Sequence, residues 1–208
     1  GSSFNQMMNT IGTMTYYDHL TGLPNRLYFL DFLEKNLLEH GSVILALVSI
    51  RDFSEIKTLV GPEVTDGILV RLAETLQTVS DDSLFMGRTA DAEFGMIIPS
   101  STTGVLKTID RLDNLLAHPL YFQSDDLNVH VFGGISISEG NGLKSDVFYQ
   151  QAQTALYEAE HSTGDQLKLY NPNTHHALVD RLRFQAEIRA ALDKGHFTTV
   201  YQPIVDLN

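Results

Sequence analysis

Charged side chains able to do chemistry collect in three short stretches of this 208-residue chain. The first runs from Asp18 to Arg26. The second closes an apolar run and reads Ser49-Ile50-Arg51-Asp52-Phe53. The third is Arg88-Thr89-Ala90-Asp91-Ala92-Glu93-Phe94. Carboxylates beside strands are the kind of fixed oxygen ligand that hard divalent cations require. Two other groups invite attention and carry less. His175 and His176 are adjacent, so their side chains diverge, and no third metal ligand accompanies them. Gly133 and Gly134 lie inside a strand pattern, which reads as a bulge or a close backbone approach rather than a phosphate cradle.

Bulk properties narrow the field. The net charge of −12 argues against nucleic acid held on a general basic surface. It leaves room for a small anionic nucleotide held by local groups. With no cysteine, there is neither a disulfide framework nor a thiolate zinc site, and a reducing cytoplasm fits. No apolar run reaches the roughly 18 residues of a membrane span. Gly1-Ser2-Ser3 reads as a cloning scar on a piece of a longer protein.

The elements that must position these residues follow from periodicity. Residues 4–17 read as a lead-in helix. Gly22 and Pro24 mark a turn that feeds a helix with Leu27, Leu30, Leu33 and Leu37 at helical spacing. Val43 to Ile50 is a central strand. Val64, Ile68, Leu69, Leu72 and Leu76 make one helix face. Leu84–Arg88 and Phe94–Ile98 form a hairpin. Val105–Leu116 is a helix stopped by Pro119. Val129–Ile137 is one strand. Phe148, Ala152, Ala155, Leu156 and Ala159 line a last helix closed by Gly164, and Leu167–Tyr170 is an edge strand. The central hairpin demands antiparallel pairing. The fold class is thus α/β of the α+β kind: a palm-like, ferredoxin-related antiparallel sheet flanked by helices. Asn171 to Thr174 breaks the pattern. Asp180–Leu192 then reads as a helix and Phe197–Val205 as a strand, too little to bury a core of their own.

From about Tyr17 to Tyr170 the chain resembles the GGDEF family of diguanylate cyclases. The resemblance rests on Asp18-x-Leu20-Thr21-Gly22-Leu23-Pro24-Asn25-Arg26, Phe53, Gly61 with Asp66, Arg88 with Glu93-Phe94, Gly134, and Ala155-Leu156-Tyr157-Glu158-Ala159, in that order and spacing. The tail, with Tyr201-Gln202-Pro203-Ile204-Val205-Asp206-Leu207, resembles the opening of an EAL domain, a family that hydrolyses or binds cyclic di-GMP. The division implied is 1–16 for scar and lead-in, 17–171 for the GGDEF-like domain, and 172–208 for a linker helix and first EAL strand.

The resemblance also shows what is missing. Ser49 stands where the family carries its metal-binding aspartate, and Arg51 replaces the second aspartate. Asp52, one residue later, should point to the other strand face. The signature turn is Ala90, Asp91, Ala92, Glu93 and Phe94: Ala90 and Asp91 stand where the family has two glycines, and Ala92 where it has its metal acid. Glu93 is retained, but one carboxylate cannot hold a metal pair, and it reads as a solvated surface acid. Glu160 and Asp165 stand where the family places phosphate-binding cations. Asp66 matches the residue that accepts from the guanine edge, or else it decorates its helix. Phe53 and Lys57 complete a vestigial nucleotide site, with Lys57 replacing an asparagine by a pure donor. Asp81 to Leu84 lack the inhibitory Arg-x-x-Asp motif. Asp18 and Arg26 read as structural.

The expectation is a GGDEF-like domain without catalytic residues, regulating or dimerising its own C-terminal EAL domain in bacterial cyclic di-GMP signalling. No metal and no cofactor are expected. Weak GTP with Mg²⁺ belongs to an alternative, an allosteric GTP sensor that activates an EAL phosphodiesterase. A second alternative is a pure protein-interaction module. The partners considered are the EAL domain, a second copy of the chain and a separate protein, with no nucleic acid. The location expected is cytoplasmic, with an inner-membrane tether on the full-length protein.

Overall fold

The computed structural model describes residues 15–40, 42–79, 84–99, 105–122, 127–139, 142–173 and 191. The chain divides into two units, Gly1–Tyr170 and Asn171–Asn208. Expectations placed on His175, His176, the 180–192 helix, the 197–205 strand and residues 81–83 fall outside the described residues.

In the first unit the order is α1 (Arg26–His40), β1 (Ser42–Ile50), α2 (Phe53–Val60), α3 (Pro62–Val79), β2 (Phe85–Arg88), β3 (Glu93–Pro99), α4 (Val105–Leu116), β4 (Leu120–Phe122), β5 (Leu127–Val129), β6 (Val131–Glu139), α5 (Ser145–His161) and β7 (Leu167–Leu169). The main sheet runs β2-β3-β1-β6-β7, with only the β6–β7 pair parallel. This is the mixed fold with a mostly antiparallel sheet that the hairpin implied.

β1 is the axis. Its apolar run is buried on both faces, because helices cover both sides of the sheet. Ile44, Ala46, Val48 and Ile50 join Leu69, Leu72 and Leu76 of α3 in one cluster. Val43, Leu45 and Leu47 join Phe29 and Leu33 of α1 and Phe148, Tyr149 and Ala152 of α5 in the other. The second cluster depends on a missing side chain. A Cβ on Gly134 would lie 2.1 Å from the backbone nitrogen of Leu156 and 2.5 Å from the carbonyl oxygen of Ala152. Only glycine lets α5 lie this close to β6. The pairing runs through Gly133 and Gly134 without a break (Val48 opposite Gly133, Leu47 opposite Gly134). The glycine pair therefore marks a close approach and not a bulge.

Two local expectations need correction. Val129–Ile137 is two strands: β5 ends at Val129, pairs with β4 in a separate hairpin, and hands over at His130 to β6. Three-residue strands are too short for periodicity to register. Gly164 does not close α5; the helix ends at His161 and Ser162, in an extended conformation, takes the cap. The lead-in shows helix at Thr15 and Tyr16, within what is described. No helix among the described residues is long and apolar enough to cross a membrane.

Candidate functional site

The site is built where the β2–β3 turn, the end of β1 and the C-terminal end of α5 come together. The turn rests on the Asp18–Arg26 segment. Asn25 caps α1, its side-chain oxygen accepting from the Tyr28 amide at 3.1 Å. Gly22 takes the left-handed conformation (φ 69°) that a turn requires here. Asp18 accepts from the Thr21 amide and hydroxyl at 2.9 and 2.7 Å. Both its carboxylate oxygens also lie near Nη1 of Arg88, at 3.0 and 3.1 Å. Burial alone would raise the Asp18 carboxyl, but the Thr21 donors and the Arg88 guanidinium outweigh it and hold it below the usual carboxylate range. Arg88 goes on to donate to the Asp91 carbonyl at 2.7 Å. Arg26 donates to the Thr89 carbonyl at 3.2 Å. Two arginines therefore grip the turn by its backbone, in keeping with a structural role for Asp18 and Arg26.

Within the turn the residues separate by face. Ala90 and Asp91 are exposed, and Ala92 and Phe94 are buried. Asp91 reaches across to Lys57 of α2, with Nζ to carboxylate 2.9 Å. The Lys57 ammonium also stands 5.9 Å from the centroid of the buried Phe53 ring, so the three residues form one group. Asp66 is exposed on α3.

Glu93 corrects an expectation. It is not a solvated acid: only 9 % of its surface is exposed. It opens β3 directly opposite Ser49 of β1. Strand alternation puts both on the face covered by α1 and α5. There the Thr89 hydroxyl donates to the Glu93 carboxylate at 2.6 Å, and the Tyr149 phenol donates to the same oxygen. Arg26 donates to the phenol oxygen at 3.0 Å and lies over the Tyr149 ring. Burial, then the charge and hydrogen bond of Glu93, push the Tyr149 phenol well above its ordinary range, so it stays a donor. Tyr149 and Thr89 were missed by sequence reasoning. The available signal was the spacing of Tyr149, Ala152 and Leu156, which places a polar-tipped aromatic on an apolar helix face, where its hydroxyl needs a partner.

Arg51 and Asp52 part company just past β1. Asp52 is exposed, but alternation is not the reason: the strand has ended, and Asp52 adopts a left-handed conformation (φ 53°) at the start of α2. Arg51 turns toward α5. It donates to the Glu160 carbonyl at 2.8 Å and to Gln166 at 3.2 Å. It thus satisfies a carbonyl at a helix C-terminus, where a cation is favoured. Asp165 pairs with Lys168 at 3.1 Å. Among the described residues no group of three or more His, Asp or Glu side chains is placed to hold a metal ion.

Residues 15–166 match the family model described as diguanylate cyclase, GGDEF domain. The chain belongs to the GGDEF family. Among curated relatives it is 26% identical over 200 residues to the signaling protein YkoW of Bacillus subtilis, covering 93% of this chain and 25% of that protein. It is 23% identical over 199 residues to the cyclic di-GMP phosphodiesterase NbdA of Pseudomonas aeruginosa, covering 93% and 25%. This GGDEF chain thus spans about a quarter of the length of both. Its fold matches the coiled coil and GGDEF domain of DgcB from Caulobacter crescentus, solved in complex with c-di-GMP. The TM-score is 0.70 at 20% identity, over 81% of this chain and 92% of that one.

Proposed function

We propose that this GGDEF domain does not cyclise GTP and works as a regulatory and dimerisation module for an adjacent EAL domain in cyclic di-GMP signalling. The observation that carries the reading is the state of Glu93, the one acid retained in the signature turn: its carboxylate is buried and engaged by Thr89 and Tyr149. The residues around it do not fit a magnesium pair. Ser49 and Ala92 offer no carboxylate, and Arg51 brings a cation that is committed to the Glu160 carbonyl. Phosphoryl transfer depends on metal and positioning, so a site without either has no route to product. Curated relatives such as the phosphodiesterase NbdA support the signalling context. The test is product analysis after incubation with GTP and Mg²⁺. No cyclic di-GMP is expected, and turnover above a mock preparation would sink the reading.

A GTP-binding sensor is the second reading, favoured by Asp66, which stands exposed on α3. It predicts heat on titration with millimolar GTP and Mg²⁺, lost in Asp66→Ala. A flat titration removes it.

A further inference from the structure

We infer that Tyr149 is a positioning residue for the signature turn: its phenol holds the Glu93 carboxylate on the α1/α5 face of the sheet, and the turn so fixed presents Asp91 to Lys57. This deepens the proposed loss of GTP chemistry, on which it rests for its functional meaning, by naming what keeps the retained acid engaged inside the domain.

The backbone of the turn is closed through a single residue. The Glu93 carbonyl accepts from the Thr89 amide at 2.8 Å and the Ala90 amide at 3.3 Å, and the Glu93 amide donates to the Ala90 carbonyl at 3.4 Å. Two of these three bonds are long, so backbone closure alone is weak. The side chain supplies what the backbone lacks. One Glu93 carboxylate oxygen takes the Thr89 hydroxyl from within the turn and the Tyr149 phenol from α5, 56 residues away. Bonds to a buried charged acceptor are the strong kind. Tyr149 is itself anchored: it is only 4 % exposed, and its phenol oxygen accepts from Arg26, whose same nitrogen also reaches the Thr89 carbonyl. α5 therefore acts on the turn twice, directly through Glu93 and indirectly through Arg26. On the far side of the turn, the Asp91 carboxylate meets Lys57 at 2.9 Å, a pair too exposed to define the turn by itself.

A tyrosine that merely fills the core would be replaced by phenylalanine without local effect, because the ring and its packing survive. Tyr149→Phe therefore separates the two roles. The measurement is amide hydrogen exchange by NMR on the chain as it stands. The amides of Ala90 and Glu93 should exchange at least about tenfold faster in Tyr149→Phe, while those of Leu45 and Leu47 in β1 keep their protection. Glu93→Leu should accelerate the same amides at least as much, because it also frees the Thr89 hydroxyl, and Tyr149→Phe added to it should change nothing further. Unchanged exchange in the turn overturns the inference, and so does equal acceleration of turn and β1 amides.

Glu93→Gln supplies a readout that keeps the shape of the site even if Tyr149→Phe fails to fold. In this variant the ultraviolet titration of the Tyr149 phenol should move part of the way down toward the ordinary tyrosine range, because the carboxylate charge is gone while the larger effect of burial stays. An unmoved titration overturns the assignment of the phenol to Glu93. Neither measurement involves nucleotide. Cyclic di-GMP production alongside the predicted exchange would remove the proposed function and leave the latch, and the reverse result would do the opposite.

Discussion

Asp91 and Glu93 stand two residues apart in the same turn and are held in opposite environments. The Asp91 side chain is 63% exposed and meets a lysine that is itself 52% exposed. Glu93 lies inside the domain under a phenol, a hydroxyl and the arginine that orients them. They separate because Asp91 lies in the loop before β3, outside the strand's alternation, while Glu93 is the first residue of the strand and faces α5. The comparison teaches that two acids of one short turn can have opposite surroundings. Which face a carboxylate occupies decides whether it can meet a ligand or serves only to hold the fold together.

The largest effect should come from removing the ground on which the inner arrangement stands. Gly134→Val drives a side chain into the backbone of α5 and pushes away the helix that carries Tyr149. The expected loss is about 3 kcal/mol or more, read by denaturant unfolding. A near-native midpoint would mean that α5 can shift and that Tyr149 is held less tightly than its contacts indicate.

Next comes the inner carboxylate itself. Glu93→Leu strands the Thr89 and Tyr149 donors and should cost about 1–3 kcal/mol in the same measurement. The phenol adds a pH signature. Its folded value is raised, so the native state keeps a proton that the unfolded chain releases above about pH 10. Its contribution is fully present below that pH and is lost as pH climbs toward the folded value. Tyr149→Phe should flatten the alkaline limb of a stability–pH curve; an unchanged limb would place the alkaline loss elsewhere.

Asp18 should act at the other end of the scale and more gently. Its folded carboxyl is held low, so its contribution is present above about pH 4 and is lost as pH falls through the folded value. Asp18→Asn should make the acid limb shallower and leave the alkaline limb alone. The smallest effect belongs to the outer pair. Lys57→Ala should change stability by less than about 1 kcal/mol, and salt should erase the difference. A larger, salt-resistant change would put the two carboxylates on equal terms and break the comparison.

Much of this molecule was legible in order and spacing. The apolar run of β1, the helical recurrence along α1 and α3, and the hairpin flanking the signature turn each follow from local periodicity, which burial enforces residue by residue. Ser49, Arg51, Ala92, Glu160 and Asp165 are read as residue types alone, and their departure from the family pattern bears only on the proposed function. The β4–β5 hairpin was hidden by its length. Asp52 was expected on the opposite face of the strand, whereas it stands past the strand's end in a left-handed conformation, since the end of a strand is a hydrogen-bonding event and not a composition.

The sequence determined the family and the sheet that its strands must form, since these depend on residue type and on periods of a few residues. Tertiary structure alone decided the fate of what remained. Glu93 found Tyr149 only because Gly134 lets α5 settle onto β6. Arg51 found the Glu160 carbonyl, 109 residues on, only because that helix ends beside β1. Such partners meet through packing between distant segments, and no local pattern encodes that distance.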